Sequence, residues 1–137
     1  MVQIAGKYQH VSNNNYEEYI KSLGQQDRAS EALKSSPLVE IQKLNDNPEQ
    51  WKVTVTVSGK TFATTFLFNQ PYDEVLPSLP DVTVKSLTTK EGDNFKTVSE
   101  LGDIQVTRLY KFTDAGMTVD LSSNKSDVKA SRTYKRL

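Results

Sequence analysis

Two side chains near the C-terminus have the chemistry to bind an anion. Arg132 and Tyr134 are two positions apart, and residues at that spacing on a β-strand point to the same face. Together they offer a cationic donor and a phenolic donor. A carboxylate is a natural partner for the pair, because hydrogen bonds from guanidinium to carboxylate are charge-assisted and strong. The alternative interpretation is a basic, solvated tail, because Lys129 and Lys135 lie close by.

The composition argues against several other kinds of site. The 137 residues include no cysteine and one histidine, which excludes a disulfide framework and thiolate chemistry and leaves little for a zinc site. A serine–histidine pair would depend on His10, a strand residue with no evident third partner, and such a residue more often has a packing role. The sequence therefore predicts neither an enzyme nor a cofactor.

Length indicates one domain, residues 1–137, and charge and hydropathy indicate a soluble protein. The 17 basic and 17 acidic residues balance, so no general attraction to nucleic acid is expected. No apolar run approaches the roughly 20 residues that span a bilayer. The N-terminus lacks the apolar region of a secretory signal, which predicts a cytoplasmic location. Only 36% of the residues are hydrophobic, which fits either disorder or strands with polar side chains on both faces.

Most of the chain has the pattern of short strands separated by turns. Residues 51–57 alternate cleanly, with Trp51 on the apolar face, and residues 61–68 place Phe62 and Phe66 on a common face. About ten strands at short, regular spacing favour a sandwich or an antiparallel up-and-down barrel, and closure into a barrel removes exposed edges. The predicted strands are 4–11, 39–44, 51–57, 61–68, 72–76, 82–88, 95–101, 104–112, 117–122 and 128–136.

Two short helices are predicted between the first two strands. Asn15 is a candidate N-cap, with Glu18 placed to bond back to it, and Gly24 ends the first helix. An apolar stripe at helical spacing is formed by Tyr16, Tyr19, Ile20 and Leu23. The second helix starts after Asp27 and ends before Pro37, with Ala32 and Leu33 on its inner side. Helices this short need a surface to lie on.

A barrel of about ten strands is too wide for side chains to fill its interior. Its lumen would hold water and ligand, which explains why threonine and serine occupy many strand positions. We expect the two helices to cover one open end of this barrel.

Several motifs resemble those of the intracellular lipid-binding proteins, the fatty acid-binding protein family. The likeness begins with Gly6-Lys7-Tyr8 and Asn15-Tyr16-Glu17 and continues with the turn Glu91-Gly92-Asp93-Asn94 and the terminal Arg132-Thr133-Tyr134-Lys135-Arg136. His10 departs from the pattern, because the family usually has an aliphatic residue there. The order of one strand, two helices and nine strands extends the resemblance over essentially the whole chain.

The resemblance implies a ten-stranded antiparallel clam with a helix-turn-helix lid and one long-chain lipid inside. Arg132 and Tyr134 would hold its carboxylate, with Arg108 as the second arginine. A one-residue slip would turn Arg108 outward and Thr107 inward. Trp51 is expected to be structural. The residues expected to contact the lipid chain are Tyr16, Tyr19, Ile20, Ala32, Leu33, Phe62 and Phe66.

The resemblance leaves the ligand open. A fatty acid carrier, a retinoid carrier and a bile acid or sterol carrier all fit, as does a ligand-free barrel that binds another protein. A reversed lipid, with its carboxylate at the portal, would depend on Arg28 or Lys34. The same two residues would allow transient membrane contact through the lid. A monomer is expected.

Overall fold

The computed structural model describes residues 4–24, 36–57, 59–76 and 79–137, which form ten strands and one short helix. The elements are β1 (Gly6–Asn14), α1 (Tyr16–Ser22), β2 (Leu38–Asp46), β3 (Glu49–Val57), β4 (Lys60–Leu67), β5 (Tyr72–Leu76), β6 (Leu79–Glu91), β7 (Asn94–Leu101), β8 (Ile104–Phe112), β9 (Gly116–Ser123) and β10 (Ala130–Arg136). Each predicted strand is present, with its ends shifted by a few residues.

The strands form a single antiparallel sheet that curls into a nearly closed barrel. Their order is β4-β3-β2-β1-β10-β9-β8-β7-β6-β5, so the first and last strands of the chain are neighbours in the middle of the sheet. His10 on β1 lies opposite Tyr134 on β10. The predicted up-and-down barrel is confirmed. Strands β4 and β5 are the two edges, and no ladder of hydrogen bonds joins them in the described part of the chain.

Short turns produce this order, because they return the chain beside the strand it has just left. Glu91 pairs with Asn94 across the β6–β7 hairpin, and Gly92 adopts a φ of 64° there. Glycine tolerates this left-handed conformation without strain.

The helix α1 buries the predicted stripe, but its start differs from the prediction. Asn15 has a left-handed backbone, with φ 60° and ψ 20°, and its side chain makes no capping bond. Its amide instead donates to the carbonyl oxygen of Lys129 at 2.9 Å. The predicted capping box with Glu18 is therefore wrong, because a bond to the chain just before β10 takes the place of the local cap. Helix α1 ends at Ser22, and Gly24 follows with a φ of 79°.

The second predicted helix, with Ala32 and Leu33, lies outside the described residues. The helical lid is thus described only in α1. Tyr19 of α1 donates its hydroxyl to the carbonyl oxygen of Ser122 on β9 at 3.1 Å, which ties the helix to the barrel.

Aromatic rings form the centre of the apolar core. The ring of Phe95 meets those of Trp51, Phe68 and Phe112 edge to face, with centroids 5.2, 5.2 and 5.1 Å away. Such pairs add about 0.5–1.5 kcal/mol each beyond the burial of their area. Because the rings come from β3, β7 and β8 and from the turn after β4, they join distant parts of the sheet.

Candidate functional site

The structure places Arg132 and Tyr134 side by side on the inward face of β10. Their exposed fractions are 8% and 7%, whereas Thr133 and Lys135 between and beyond them are exposed. The alternative of a basic solvated tail is therefore wrong for this pair. The spacing of two residues gives both side chains the same orientation, and the barrel encloses that side of the strand.

Side chains from β1 and α1 hold Arg132 in position. Its Nε donates to Oδ1 of Asn13 at 2.8 Å, and the centre of its guanidinium lies 4.4 Å from the ring centroid of Tyr16. Asn13 faces Arg132 across the β1–β10 ladder, just after the register shift between His10 and Ser12. An arginine over an aromatic face gains about 0.5–2 kcal/mol when it is partly desolvated.

His10 completes this cluster. Its Nε2 lies 2.7 Å from Oδ1 of Asn13, and its ring meets that of Tyr134 edge to face at 5.5 Å. Burial lowers the pKa of His10, and the charge of Arg132 lowers it further, although the contact with Asn13 acts the other way. His10 is therefore a neutral donor to Asn13 at neutral pH, in line with a packing role.

The inward-facing phenols of Tyr134 and Tyr110 are uncharged at neutral pH. Burial raises the pKa of Tyr134 to about 12, although Arg132 opposes this shift, and burial raises the pKa of Tyr110 to about 12 against the effect of Arg108. Tyr134 is within the electrostatic range of both arginines. Arg108, Arg132 and Tyr134 thus face the barrel interior from β8 and β10, which β9 separates, and none of the three is among the residues that line the cavity described below.

Arg108 faces the same interior from β8, as the predicted register requires. It shares its face with the buried Val106 and with Tyr110. Its Nη1 donates to the hydroxyl of Tyr110 at 2.9 Å, and its Nη2 donates to Ser99 at 3.1 Å and to the carboxylate of Glu74. Burial opposes the charge of Arg108, but Tyr110 and Glu74 outweigh it and leave its pKa above the usual range. Arg108 therefore already has a carboxylate partner inside the protein.

Glu74 belongs to a network of polar side chains that the sequence did not reveal. Its Oε1 accepts from Ser86 at 2.8 Å, and Ser86 contacts Ser99 at 2.7 Å. On the same wall, Thr88 lies 2.6 Å from the hydroxyl of Tyr72 and 2.7 Å from Thr97. The serines and threonines are almost fully buried. The alternation along β5 could have predicted the inward position of Glu74, because Glu74 shares a strand face with Tyr72.

The remaining wall of the cavity is apolar. Phe66 lies there as predicted, and its ring stacks on that of Tyr72 at 5.4 Å. Phe62 is half-buried opposite Val55, and its contact with a ligand stays a prediction. Trp51 is buried, and its indole donates to Glu49 at 2.7 Å. The residues that line the cavity are Ile41, Val53, Thr64, Phe66, Tyr72, Glu74, Phe95, Thr97 and Tyr110.

The predicted contacts from the lid fall into two groups. Tyr16, Tyr19 and Ile20 are buried against the barrel. Ala32 and Leu33 lie outside the described residues. Among residues 4–24, 36–57, 59–76 and 79–137, no cluster of acidic or histidine side chains could hold a metal ion. No helix in those ranges is long and apolar enough to cross a membrane.

Comparisons with known proteins agree with this architecture. A scan against protein-family profiles finds no match. Liver fatty acid-binding protein 1 of Ambystoma mexicanum is 31% identical over 133 residues, which cover 97% of this chain and 95% of that protein. The brain fatty acid-binding protein of Drosophila melanogaster is 29% identical in a solved structure, with a TM-score of 0.81 and coverage of 96% of this chain and 98% of that one.

A more distant structure shares the fold. The fatty acid-binding protein of Schistosoma mansoni, solved with arachidonic acid, has a TM-score of 0.86 at 20% identity and covers 97% of this chain and 95% of that one. The curated relatives are named as fatty acid-binding proteins rather than as enzymes. The resemblance read from the motifs is confirmed, and the chain belongs to the fatty acid-binding protein family.

Proposed function

We propose that this protein is a monomeric cytoplasmic carrier that binds one long-chain fatty acid inside its barrel. Arg132 and Tyr134 hold the carboxylate, and Arg108 makes the smaller contribution from the same barrel interior, because Glu74 offsets much of its charge. The observation that carries the proposal is the buried pair on β10, a cation beside a neutral phenol. The names of the relatives support the ligand class.

The acyl chain supplies most of the driving force. Removing one methylene from water contributes about 0.8 kcal/mol, so a chain of about fifteen would contribute about 12 kcal/mol. Ordering the chain and displacing water from the polar wall offset much of this sum. Phe66 and Ile41 offer the apolar surface that the chain needs.

The carboxylate makes binding selective, because a buried charge is tolerated only when it is paired and hydrogen-bonded. Arg132 is already oriented by Asn13 and Tyr16, so little side-chain entropy is lost when a ligand arrives. Ordered water between the carboxylate and these donors would serve nearly as well as direct bonds.

Release and delivery of the lipid involve the lid. We assign transient membrane contact to the second helix, where Arg28 and Lys34 would meet anionic head groups at about 1 kcal/mol each. Both residues lie outside the described part of the chain, so this assignment depends on the sequence alone.

The test is native mass spectrometry of the delipidated protein with oleate, retinoic acid and a bile acid. One oleate is expected per chain, and Arg132→Gln should weaken it at least about tenfold, which is about 1.4 kcal/mol. Lys135→Gln is the matched control, since Lys135 is exposed on the same strand.

Each other outcome changes a different part of the proposal. If oleate binds tightly and Arg132→Gln leaves its affinity unchanged, the protein is still a carrier, but the proposed carboxylate site is refuted. A preference for retinoic acid or the bile acid would reassign the ligand class. No binding of any of the three would favour a barrel that interacts with another protein.

A further inference from the structure

The Glu74–Arg108 pair has unused hydrogen-bonding capacity on the cavity side. The bonds described for Glu74 all end on Oε1, and Glu74 lines the cavity, so its Oε2 remains for another donor. The Nε of Arg108 is buried and has no hydrogen-bond acceptor among the described residues. An unmatched buried N–H typically costs about 1–3 kcal/mol. Because protein atoms enclose this Nε, the group of the pair that is open to a ligand is the carboxylate of Glu74.

The group that is open to a ligand is therefore a hydrogen-bond acceptor, the second carboxylate oxygen of Glu74. A hydroxyl matches it, because a hydroxyl donates one hydrogen bond. A carboxylate only accepts, and beside Glu74 it would also meet a like charge. The pair therefore favours a neutral oxygen that carries a hydrogen.

Burial makes this preference strong. The side chains of Arg108 and Glu74 are 14% and 12% exposed, so solvent screens their charges weakly. Ser86 and Ser99 bond to the pair and fix its orientation from the β6–β7 side. A ligand group at this position meets side chains that hydrogen bonds to their neighbours already orient.

We propose that Glu74 and Arg108 form a second polar subsite that binds a hydroxyl group, with Glu74 as the residue that excludes a carboxylate from it. The cavity then accepts long-chain alcohols and other lipids with a neutral hydroxyl in addition to fatty acids. The inference rests on the proposed function in one respect, which is that the alcohol and the fatty acid occupy the same cavity.

The first experiment changes the ligand and leaves the protein intact. Oleyl alcohol and its methyl ether compete for the delipidated wild-type protein against a fluorescent fatty acid analogue. The ether cannot donate to Glu74, so it should bind at least about tenfold more weakly than the alcohol. Equal affinities of the two compounds would overturn the subsite.

The second experiment removes the charge of Glu74. In Glu74→Gln, the ratio of oleate affinity to oleyl alcohol affinity should rise at least about tenfold, because Arg108 is no longer neutralised. Asp73→Asn is the matched control, since Asp73 is the adjacent carboxylate on β5, is 66% exposed and pairs with Lys85 outside the barrel. A ratio within about threefold of this control would overturn the role of Glu74.

A double variant separates charge from packing. Glu74→Gln with Arg108→Gln removes both charges and leaves no unpaired one, so its affinity ratio should return toward that of the wild type. If the double variant shows the same rise in the affinity ratio as Glu74→Gln alone, the charge argument is contradicted. Failure of the proposed carboxylate site appears separately, as an oleate affinity that Arg132→Gln does not change.

Discussion

Asn13→Asp is the substitution that most directly tests how the carboxylate site obtains its charge. The side-chain oxygen of Asn13 lies 2.8 Å from Nε of Arg132 and 2.7 Å from Nε2 of His10. Aspartate has the same shape and accepts both hydrogen bonds, so the fold should be unchanged. The substitution places a negative charge beside the arginine that is proposed to hold the ligand.

The size of the effect follows from the distances. A ligand carboxylate on the far side of the Arg132 guanidinium would lie about 6 Å from the new one. At an effective dielectric constant of about 20, two charges at that separation repel by about 3 kcal/mol. We therefore expect oleate affinity to fall about 100-fold.

His10 would mask this effect at neutral pH, because the introduced carboxylate would stabilise its protonated form. The affinity should therefore be measured at about pH 8.5, well above the usual histidine pKa of about 6.5. The defect should become smaller at about pH 6, where His10 binds a proton.

Fluorescence displacement with oleate provides the measurement, and Asn14→Asp provides the control. Asn14 is the next residue on β1 and is exposed, so the two variants have the same net charge. If Asn13→Asp binds oleate within about threefold of Asn14→Asp at pH 8.5, the ligand carboxylate does not lie at Arg132.

Three further substitutions test the fold around the site. Phe66→Ala should lower the free energy of unfolding by about 3–5 kcal/mol in urea, and a loss below about 1 kcal/mol would mean that the cavity wall does not depend on this ring. Gly116→Ala should cost about 1–3 kcal/mol or more, because a Cβ there would collide with the carbonyl oxygen of Tyr134; an unchanged urea midpoint would contradict the strand spacing. Because burial lowers the pKa of His10, the unfolded chain binds more protons, and the stability that neutral His10 contributes above about pH 6.5 is lost as the pH falls through its lower folded pKa. His10→Gln should make the urea midpoint depend less on pH between about 7 and 5, and a slope equal to that of the wild type would refute this.

Patterns with a period of two were enough to predict the strands and to show which candidate binding residues share a face. Arg132 and Tyr134 share a face because they are two apart on one strand, whatever the rest of the chain does. Arg108 and Tyr110 follow the same rule on β8. The prediction succeeded here because parity depends only on local backbone geometry.

Interactions between distant segments were not predictable in the same way. Glu74 on a short strand is typically solvent-facing, yet it pairs with Arg108, 34 residues further along the chain. Asn15 has the composition of a helix cap, but its amide bonds to Lys129 instead. In both cases a partner brought close by the closed sheet decided the outcome, and no local propensity contains that information.

The two edge strands of the barrel meet through side chains. Phe66 on β4 and Tyr72 on β5 stack across this join, with their rings 20° from parallel. If the barrel widens here, the ring contact is lost, but every described ladder of hydrogen bonds stays intact. Elsewhere the circumference is fixed by bonds with a defined register, whereas at the join it depends on dispersion forces, which weaken gradually and re-form after sliding. The barrel can therefore change its diameter at this join without breaking the hydrogen bonds between any pair of described strands.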